Sequence, residues 1–405
     1  MSPGLQRAAG ARCYTGGMPP TLTLPRVDGT LASYTLSGRA PIESPPGPIM
    51  SRIGMAAVHV VTDPLAAINP TLQVALDWDA TLRFRHYVWS LGLAVAEAMD
   101  TAQRGMGFDW TAAKGLIKRS VAESKTVAGA GLASGAGTDH LEAGPRVTIA
   151  DVEAAYEEQC AWIEGCGGRI ILMASRALAA CAKSPDDYVK VYGRILSQAR
   201  EPVIIHWLGE MFDPALAGYW GSRERDRQVE TLLAIVSEYA AKIDGVKISL
   251  LDQAREIAMR SRFPKAVRMY TGDDFDYPTT IRGDGQRHSD ALLGIFDVIA
   301  PAASAALKAL DRGDPATYER ILAPTLTLSR HVFGDPTRFY KTGVVFAAYL
   351  NGHQSHFRMV GGLESARSIV HLSEQFRLMD AAGLLRDPEM AAIRMRRVLA
   401  VVGIE

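Results

Sequence analysis

Lys242-Ile243-Asp244-Gly245-Val246-Lys247-Ile248-Ser249-Leu250-Leu251 is the stretch on which the reading of this chain turns. It is a short β-branched run carrying a lysine, Lys247, just after Gly245 at its exit. A long amine there is open to two readings. Its charged head can reach water along an apolar stem, or desolvation can lower its pKa and leave a neutral nucleophile facing a cleft. A Gly-Val-Lys tripeptide alone favours the first, so the surrounding pattern has to decide.

Working outward, similar runs recur at 53–61, 93–98, 131–134, 169–174, 203–207, 268–271 and 291–296, which with 245–248 makes eight. Amphipathic stretches at 81–91, 110–127, 149–164, 185–198, 225–241 and 253–262 separate most of them, the pattern of βα units and a parallel sheet. The seventh connection, 275–290, is too rich in Gly, Asp and Pro for a long helix. The units span about 260 residues, close to the ~250 typical of a (β/α)8 TIM barrel, which is the expected fold; an open doubly wound sheet is the runner-up. Before the barrel, 21–24 and 34–36 alternate on either side of Asp28-Gly29, which predicts a β-hairpin, and 40–48 is a Pro-rich linker. After it, helical stretches at 302–310, 315–332, 341–350, 367–382 and 388–402 predict a C-terminal extension. The expected organisation is a disordered or non-native start at 1–17, hairpin and linker at 18–50, catalytic barrel at 51–311 and helical extension at 312–405.

With 44 basic against 44 acidic side chains and no basic stripe, a nucleic-acid partner is not expected. No apolar run reaches the roughly 18 residues of a membrane span, and no secretory signal opens the chain. Cys13, Cys160, Cys166 and Cys181 form no Cys-x-x-Cys pair. A cytoplasmic protein with free thiols is the expectation.

Barrel enzymes place their chemistry at the C-terminal ends of strands. The polar residues of this chain gather there: His59; Glu97, Asp100, Thr101 and Gln103; Gly135, Gly137, Thr138, Asp139 and His140; Ser175 and Arg176; His206; Lys247 and Ser249; Gly272, Asp273 and Asp274. Each alone has a plain structural explanation: a satisfied core histidine for His59, a turn or helix cap for Asp273 and Asp274. Seven strand ends in succession argue for a rim. Gly135-Ala136-Gly137 matches only half of a dinucleotide fingerprint, and Gly361-Gly362, His353 and His356 read as turn and helix-end residues.

In order and spacing these pieces resemble the dihydrodipicolinate synthase and N-acetylneuraminate lyase superfamily. The resemblance rests on 131–137 for the third strand and its Gly-rich turn, Pro202-Val203-Ile204-Ile205-His206 for the fifth, Gly245-Val246-Lys247 for the sixth and Thr271-Gly272-Asp273-Asp274 for the seventh. Ile299-Ala300-Pro301 and Arg312-Gly313-Asp314 resemble that family's lead-in to its C-terminal helices. More narrowly, the chain from about Thr21 is similar to an actinobacterial branch catalogued as a domain of unknown function. The resemblance implies class I aldolase or lyase chemistry, with Lys247 forming an iminium ion on a substrate carbonyl and a nearby group moving protons. It also implies a homo-oligomer acting on a small-molecule carbonyl substrate without a cofactor.

Two departures shape the expectation. His206 stands where the superfamily has a tyrosine, and is expected to take over as proton shuttle. The superfamily's Gly-Thr-Thr-Gly-Glu turn, which binds a 2-oxo acid carboxylate, here reads Ala98-Met99-Asp100-Thr101-Ala102-Gln103-Arg104-Gly105. Asp100 would repel a carboxylate, so a keto sugar or similar hydroxylated carbonyl compound fits better, with Arg104 expected to be solvated. The expected catalytic residues are Lys247, His206 and Asp273, the last orienting the lysine or the substrate. Asp100, Thr101, Gly137, Thr138, Ser175 and Asp274 are expected to bind substrate. Two alternatives stay open: a divalent metal held by Glu97, Asp100, His206 and Asp273 for sugar isomerisation, epimerisation or cleavage, and a non-catalytic binding barrel.

Overall fold

In the computed structural model, which describes residues 18–404, the stretch around Lys247 is a strand of a closed parallel barrel. The expected start at 1–17, with Cys13, lies outside the described residues. Two N-terminal strands, β1 (Thr21–Pro25) and β2 (Leu31–Thr35), form the antiparallel hairpin. The barrel strands are β3 (Gly54–Ala57), β4 (Ala94–Glu97), β5 (Leu132–Ala136), β6 (Arg169–Leu172), β7 (Val203–Leu208), β8 (Ile243–Ser249), β9 (Arg268–Thr271) and β10 (Asp290–Leu293). They pair in sequence order, and β10 closes on β3.

Alternation within the strands sorts side chains between two cores. Val246, Ile248, Ile205 and Trp207 face the surrounding helices, whereas Met55, Ala57, Ala96, Ala133, Ile171, Ile204, Tyr270 and Leu292 fill the barrel interior. His206 pairs with Lys247 and Leu208 with Ser249 in the β7–β8 register, so these four belong to the inward-facing set. The surrounding helices start on the caps the sequence supplies: Thr148 and Asp151 form a capping box for Ile149–Gly165, and Asp252 caps Gln253–Arg262.

Two strand expectations are cut short by side chains that take over backbone groups. The first run, 53–61, leaves the sheet after Ala57, because Asp297 accepts from the His59 amide (2.9 Å) and Arg85 donates to its carbonyl (2.6 Å). The last run, 291–296, ends at Leu293 and turns into a short helix, Ile295–Val298, whose first amide donates to Asp274 (2.9 Å). The weak seventh connection holds a short helix, Tyr277–Arg282, stopped by Gly283 at φ 79°. A short helix at Arg176–Cys181 was not expected from the sequence.

The C-terminal helices are Ala300–Asp311, Pro315–Val332, Tyr340–Leu350, Ile369–Ala382 and Pro388–Val401. Every residue of Tyr340–Leu350 is buried, and this helix packs on the turn after β4. The hairpin covers the extension: Tyr34 and the Ser37 amide both donate to Asp380, at 2.6 and 2.7 Å. No helix among the described residues is long and apolar enough to cross a membrane. Cys160, Cys166 and Cys181 are free thiols.

Candidate active site

Two cavities lie at the C-terminal end of the barrel. The inner one has a volume of about 10 Å³ and is lined by Lys247, Ser249, Asp274, Thr101, Asp100 and an aromatic wall of Phe212, Phe333 and Tyr340, with small contributions from the strands. The outer one, about 310 Å³, is lined by Gly137, Thr138, Asp139, His140, Arg104, Arg176, Asp213 and His206 among others. Asp100 and Leu208 line both.

Lys247 is 7% exposed, and its Nζ makes no hydrogen bond among the described residues. Burial pushes its pKa below the ordinary lysine value, against the opposing charges of Asp274 and Asp100. Burial pushes Asp274 up to about 7, against the Ile295 amide and the lysine charge. Both directions move this pair toward neutral amine and neutral acid, the state a nucleophilic amine requires. Gly272 makes room for it: a Cβ there would collide with Ser249 Oγ and come within 2.9 Å of Lys247 Cε.

Of the expected site residues, Lys247, Thr101 and Asp274 line the inner cavity; His206, Gly137 and Thr138 line the outer one; Asp100 lines both. Asp273 lines neither. Its Oδ1 accepts from the Phe275 and Asp276 amides (2.8 and 3.3 Å), so it closes a turn while the adjacent Asp274 faces the lysine. Ser175 is set back behind the outer cavity, its hydroxyl bonded to Thr138 (2.6 Å) and capping the helix that follows (2.9 Å to Leu178 N). His59 is tied to Asp297 (2.7 Å) and packs on Phe84 away from both cavities.

His206 is fully buried, with Nε2 3.2 Å from Ser249 Oγ and Nδ1 without a partner among the described residues. Burial and the nearby Lys247 push its pKa well below the usual histidine range. It is therefore a neutral imidazole at physiological pH, which works against its expected part as a shuttle that charges and discharges near neutrality.

The four residues of the metal alternative do not converge. Glu97 is fully buried and spends both oxygens on Arg85 (2.8 and 2.9 Å), the Ser120 hydroxyl (2.6 Å) and the Ala98 amide (2.9 Å). Asp273 is held in its turn, and no cluster of three metal-ligating side chains occurs among the described residues. Arg104, expected to be solvated, is 3% exposed. It grips both oxygens of Asp139, donates to Gln159 (2.9 Å) and reaches the Ala98 and Gly135 carbonyls (both 3.2 Å). Burial would raise the Asp139 pKa, but the hydrogen bonds and charge of Arg104 prevail and hold it below the ordinary carboxylate value. Arg176 is likewise paired with Asp213. The outer cavity thus has no unpaired arginine among its lining residues, while the Asp100 carboxylate accepts no hydrogen bond among the described residues.

The largest omission from the sequence reading is Tyr340. Its hydroxyl lies 2.8 Å from Thr101 Oγ1 and its ring stacks on Phe333, with centroids 4.3 Å apart at 16°. Burial, with the charge of Asp100 adding to it, raises its pKa well above the ordinary phenol value, so it remains a proton donor. Lys341 beside it is pushed down to about 8 by burial and donates to the Arg338 carbonyl (3.1 Å).

The fold is that of dihydrodipicolinate synthase structures. A prophage protein of the dihydrodipicolinic acid synthase family from E. coli K12, YagE, solved with pyruvate, superposes with a TM-score of 0.64 at 12% identity, covering 83% of this chain and 99% of that one. Dihydrodipicolinate synthase from Aquifex aeolicus gives 0.58 at 13% identity, covering 87% and 98%. The chloride-inhibited synthase from Acinetobacter baumannii complexed with pyruvate gives 0.60 at 12% identity, covering 83% and 100%. No curated protein matches the sequence. The match that fixes family membership spans residues 22–404, nearly the whole chain: the protein belongs to the family described as "Protein of unknown function (DUF993)".

Proposed function

We propose that the protein is a class I, Schiff-base lyase or aldolase acting on a small hydroxylated carbonyl compound, a keto sugar or a sugar-derived acid. The observation that carries this reading is the buried Lys247 amine, without a hydrogen-bond partner among the described residues and depressed in pKa, in a chamber shared with an aspartate near 7. The neutral amine adds to the carbonyl carbon, the carbinolamine loses its oxygen as water, and the iminium formed draws electrons from a bond one carbon away. As that bond breaks, the hydroxyl on the departing carbon gives up its proton and that carbon leaves as a second carbonyl compound. The electron pair stays behind as an enamine on Lys247, which is reprotonated before hydrolysis returns the lysine and the remaining product.

Proton transfer is assigned to Asp274, whose raised pKa suits an acid–base group at neutral pH. The Tyr340 hydroxyl, oriented by Thr101, donates to the oxygen that leaves. The neutral His206 takes a binding part at the wall of the outer cavity, and its Nε2 contact with Ser249 links it to the inner chamber. Asp100 and Thr138 read further hydroxyls, since an ionised carboxylate only accepts hydrogen bonds and so favours hydroxyl-bearing over carboxylate-bearing compounds. The chemistry calls for no cofactor. Homo-oligomerisation, an expectation from the resemblance, is checked by sedimentation equilibrium.

The test is borohydride reduction of the protein with a panel of hydroxylated aldehydes, ketoses and 2-oxo acids, read by intact mass. Hydroxylated compounds are expected to leave an adduct in preference to pyruvate; absence of any adduct across the panel overturns the reading. Two predictions refine it. Tyr340→Phe is expected to lower turnover by about 10²-fold while leaving adduct formation with a preformed aldehyde detectable, because the loss falls on proton donation. Asp274→Asn is expected to shift the pH profile of trapping to lower pH. Ionised Asp274 raises the lysine pKa, so removing that charge lets the amine lose its proton earlier, an effect seen above about pH 7, where the wild-type carboxylate is ionised. An unchanged or upward-shifted profile would remove Asp274 from contact with the amine.

A further inference from the structure

We infer that Phe212 is a size filter that admits to Lys247 only a carbonyl at or next to the end of a slender, unbranched chain: an aliphatic aldehyde, or a methyl or hydroxymethyl ketone, with no ring on the carbonyl carbon. As a statement about substrate class this rests on the Schiff-base reading; as a statement about access to the amine it does not. The inner chamber holds about 10 Å³, near the room a single water needs, whereas the outer cavity holds about 310 Å³. A carbonyl carbon at the amine can therefore carry no more than one small arm inward. The rest of the molecule lies outside, past Leu208 and Asp100, the two residues common to both spaces.

Of the three aromatic side chains closing the chamber, two are fixed. Tyr340 and Phe333 stack on each other, and Tyr340 is also bonded to Thr101. Phe212 comes from the loop after β7 and meets them only edge-on, at centroid distances of 6.4 Å to Phe333 and 6.3 Å to Tyr340. The next residue, Asp213, faces the outer cavity and is ion-paired there with Arg176, the first residue of the short helix after β6. The segment Leu208–Asp213 thus forms the partition between the two spaces, with Phe212 on its inner side and the Arg176 contact holding its outer side.

The test reads the access of Lys247 to aldehydes of two sizes and needs no turnover. Full-length protein is reductively alkylated with cyanoborohydride and either formaldehyde or salicylaldehyde, and modification of Lys247 is measured by peptide mass mapping relative to the exposed Lys118 and Lys265. In the wild type, formaldehyde is expected to reach Lys247 and salicylaldehyde to be excluded. Phe212→Ala is expected to raise the salicylaldehyde-to-formaldehyde ratio at Lys247 by roughly tenfold or more, and the milder Phe212→Leu to raise it less, which keeps the test valid if the alanine variant folds poorly. A ratio unchanged in both variants, or salicylaldehyde labelling of wild-type Lys247 as ready as that of Lys118, overturns the filter. Failure of the lyase reading would appear separately, as loss of adducts from the hydroxylated panel with the size ratio intact.

Discussion

Lys247→Ala is expected to remove the borohydride-trapped adduct completely and to lower turnover by roughly 10⁴-fold or more, the scale seen when an attacking nucleophile is deleted. The size of the effect follows from the chamber. No other lysine is among its lining residues, and the amine of Lys341, which follows the lining Tyr340, is engaged by the Arg338 carbonyl three residues before it. The variant is expected to fold, since deleting a buried amine with no hydrogen bond among the described residues strands no donor or acceptor in protein. Loss of the lysine charge also removes an influence that lowers the Asp274 pKa, so Asp274 in the variant is expected to titrate above its wild-type value of about 7. Adduct persisting in Lys247→Ala would place the reactive amine elsewhere. Adduct lost with turnover retained would leave trapping as a side reaction.

Much of this was legible in the residues. β-branched runs alternating with 3.6-period stretches located all eight barrel strands, because burial on both faces demands apolar sequence whatever the detail. The rule that polar residues at strand exits form a rim brought Asp100, Thr101, Gly137, Thr138, His206, Lys247 and Asp274 to the two cavities. What escaped was set by contacts between distant segments. Nothing in Thr271-Gly272-Asp273-Asp274 says which aspartate faces inward; that is decided when the amides two and three residues on capture Asp273 and the Ile295 amide captures Asp274. Arg104 turns inward because Asp139 and Gln159, from other units, supply its partners. Phe212, Phe333 and Tyr340 look like ordinary apolar positions of a loop and two helices, and the burial of the entire helix Tyr340–Leu350 is a property of packing across the chain. Gly272 was the one local signal within reach: a glycine at a strand exit beside the lysine strand marks a close approach, here that of Lys247 and Ser249.

Arg85→Ala is expected to cost about 3–5 kcal/mol of stability, the largest loss from a single substitution near the site. Both partners of the Arg85–Glu97 pair are fully buried, and the two parallel contacts at 2.8 and 2.9 Å are the fork geometry in which arginine binds carboxylate best. Removing the arginine leaves Glu97 charged and unpaired in the core and also frees the His59 carbonyl. Glu97→Gln strands the other partner and is expected to be destabilising for the same reason, while Arg85→Met with Glu97→Leu, which empties the site of charge, is expected to recover much of the loss. The site should suffer beyond stability. Glu97 also holds the Ala98 amide, and Ala98 sits at φ 53°, a strained left-handed value for a residue with a side chain. That bend aims the following Asp100 and Thr101 at the two cavities. The double variant is therefore expected to be folded yet impaired in adduct formation with hydroxylated carbonyl compounds. Denaturant unfolding and trapping yield, measured with and without a chelator, separate the outcomes: stability lost independently of chelator marks an anchor for the Ala98 turn, whereas losses that follow divalent cation would restore Glu97 to the part of a ligand.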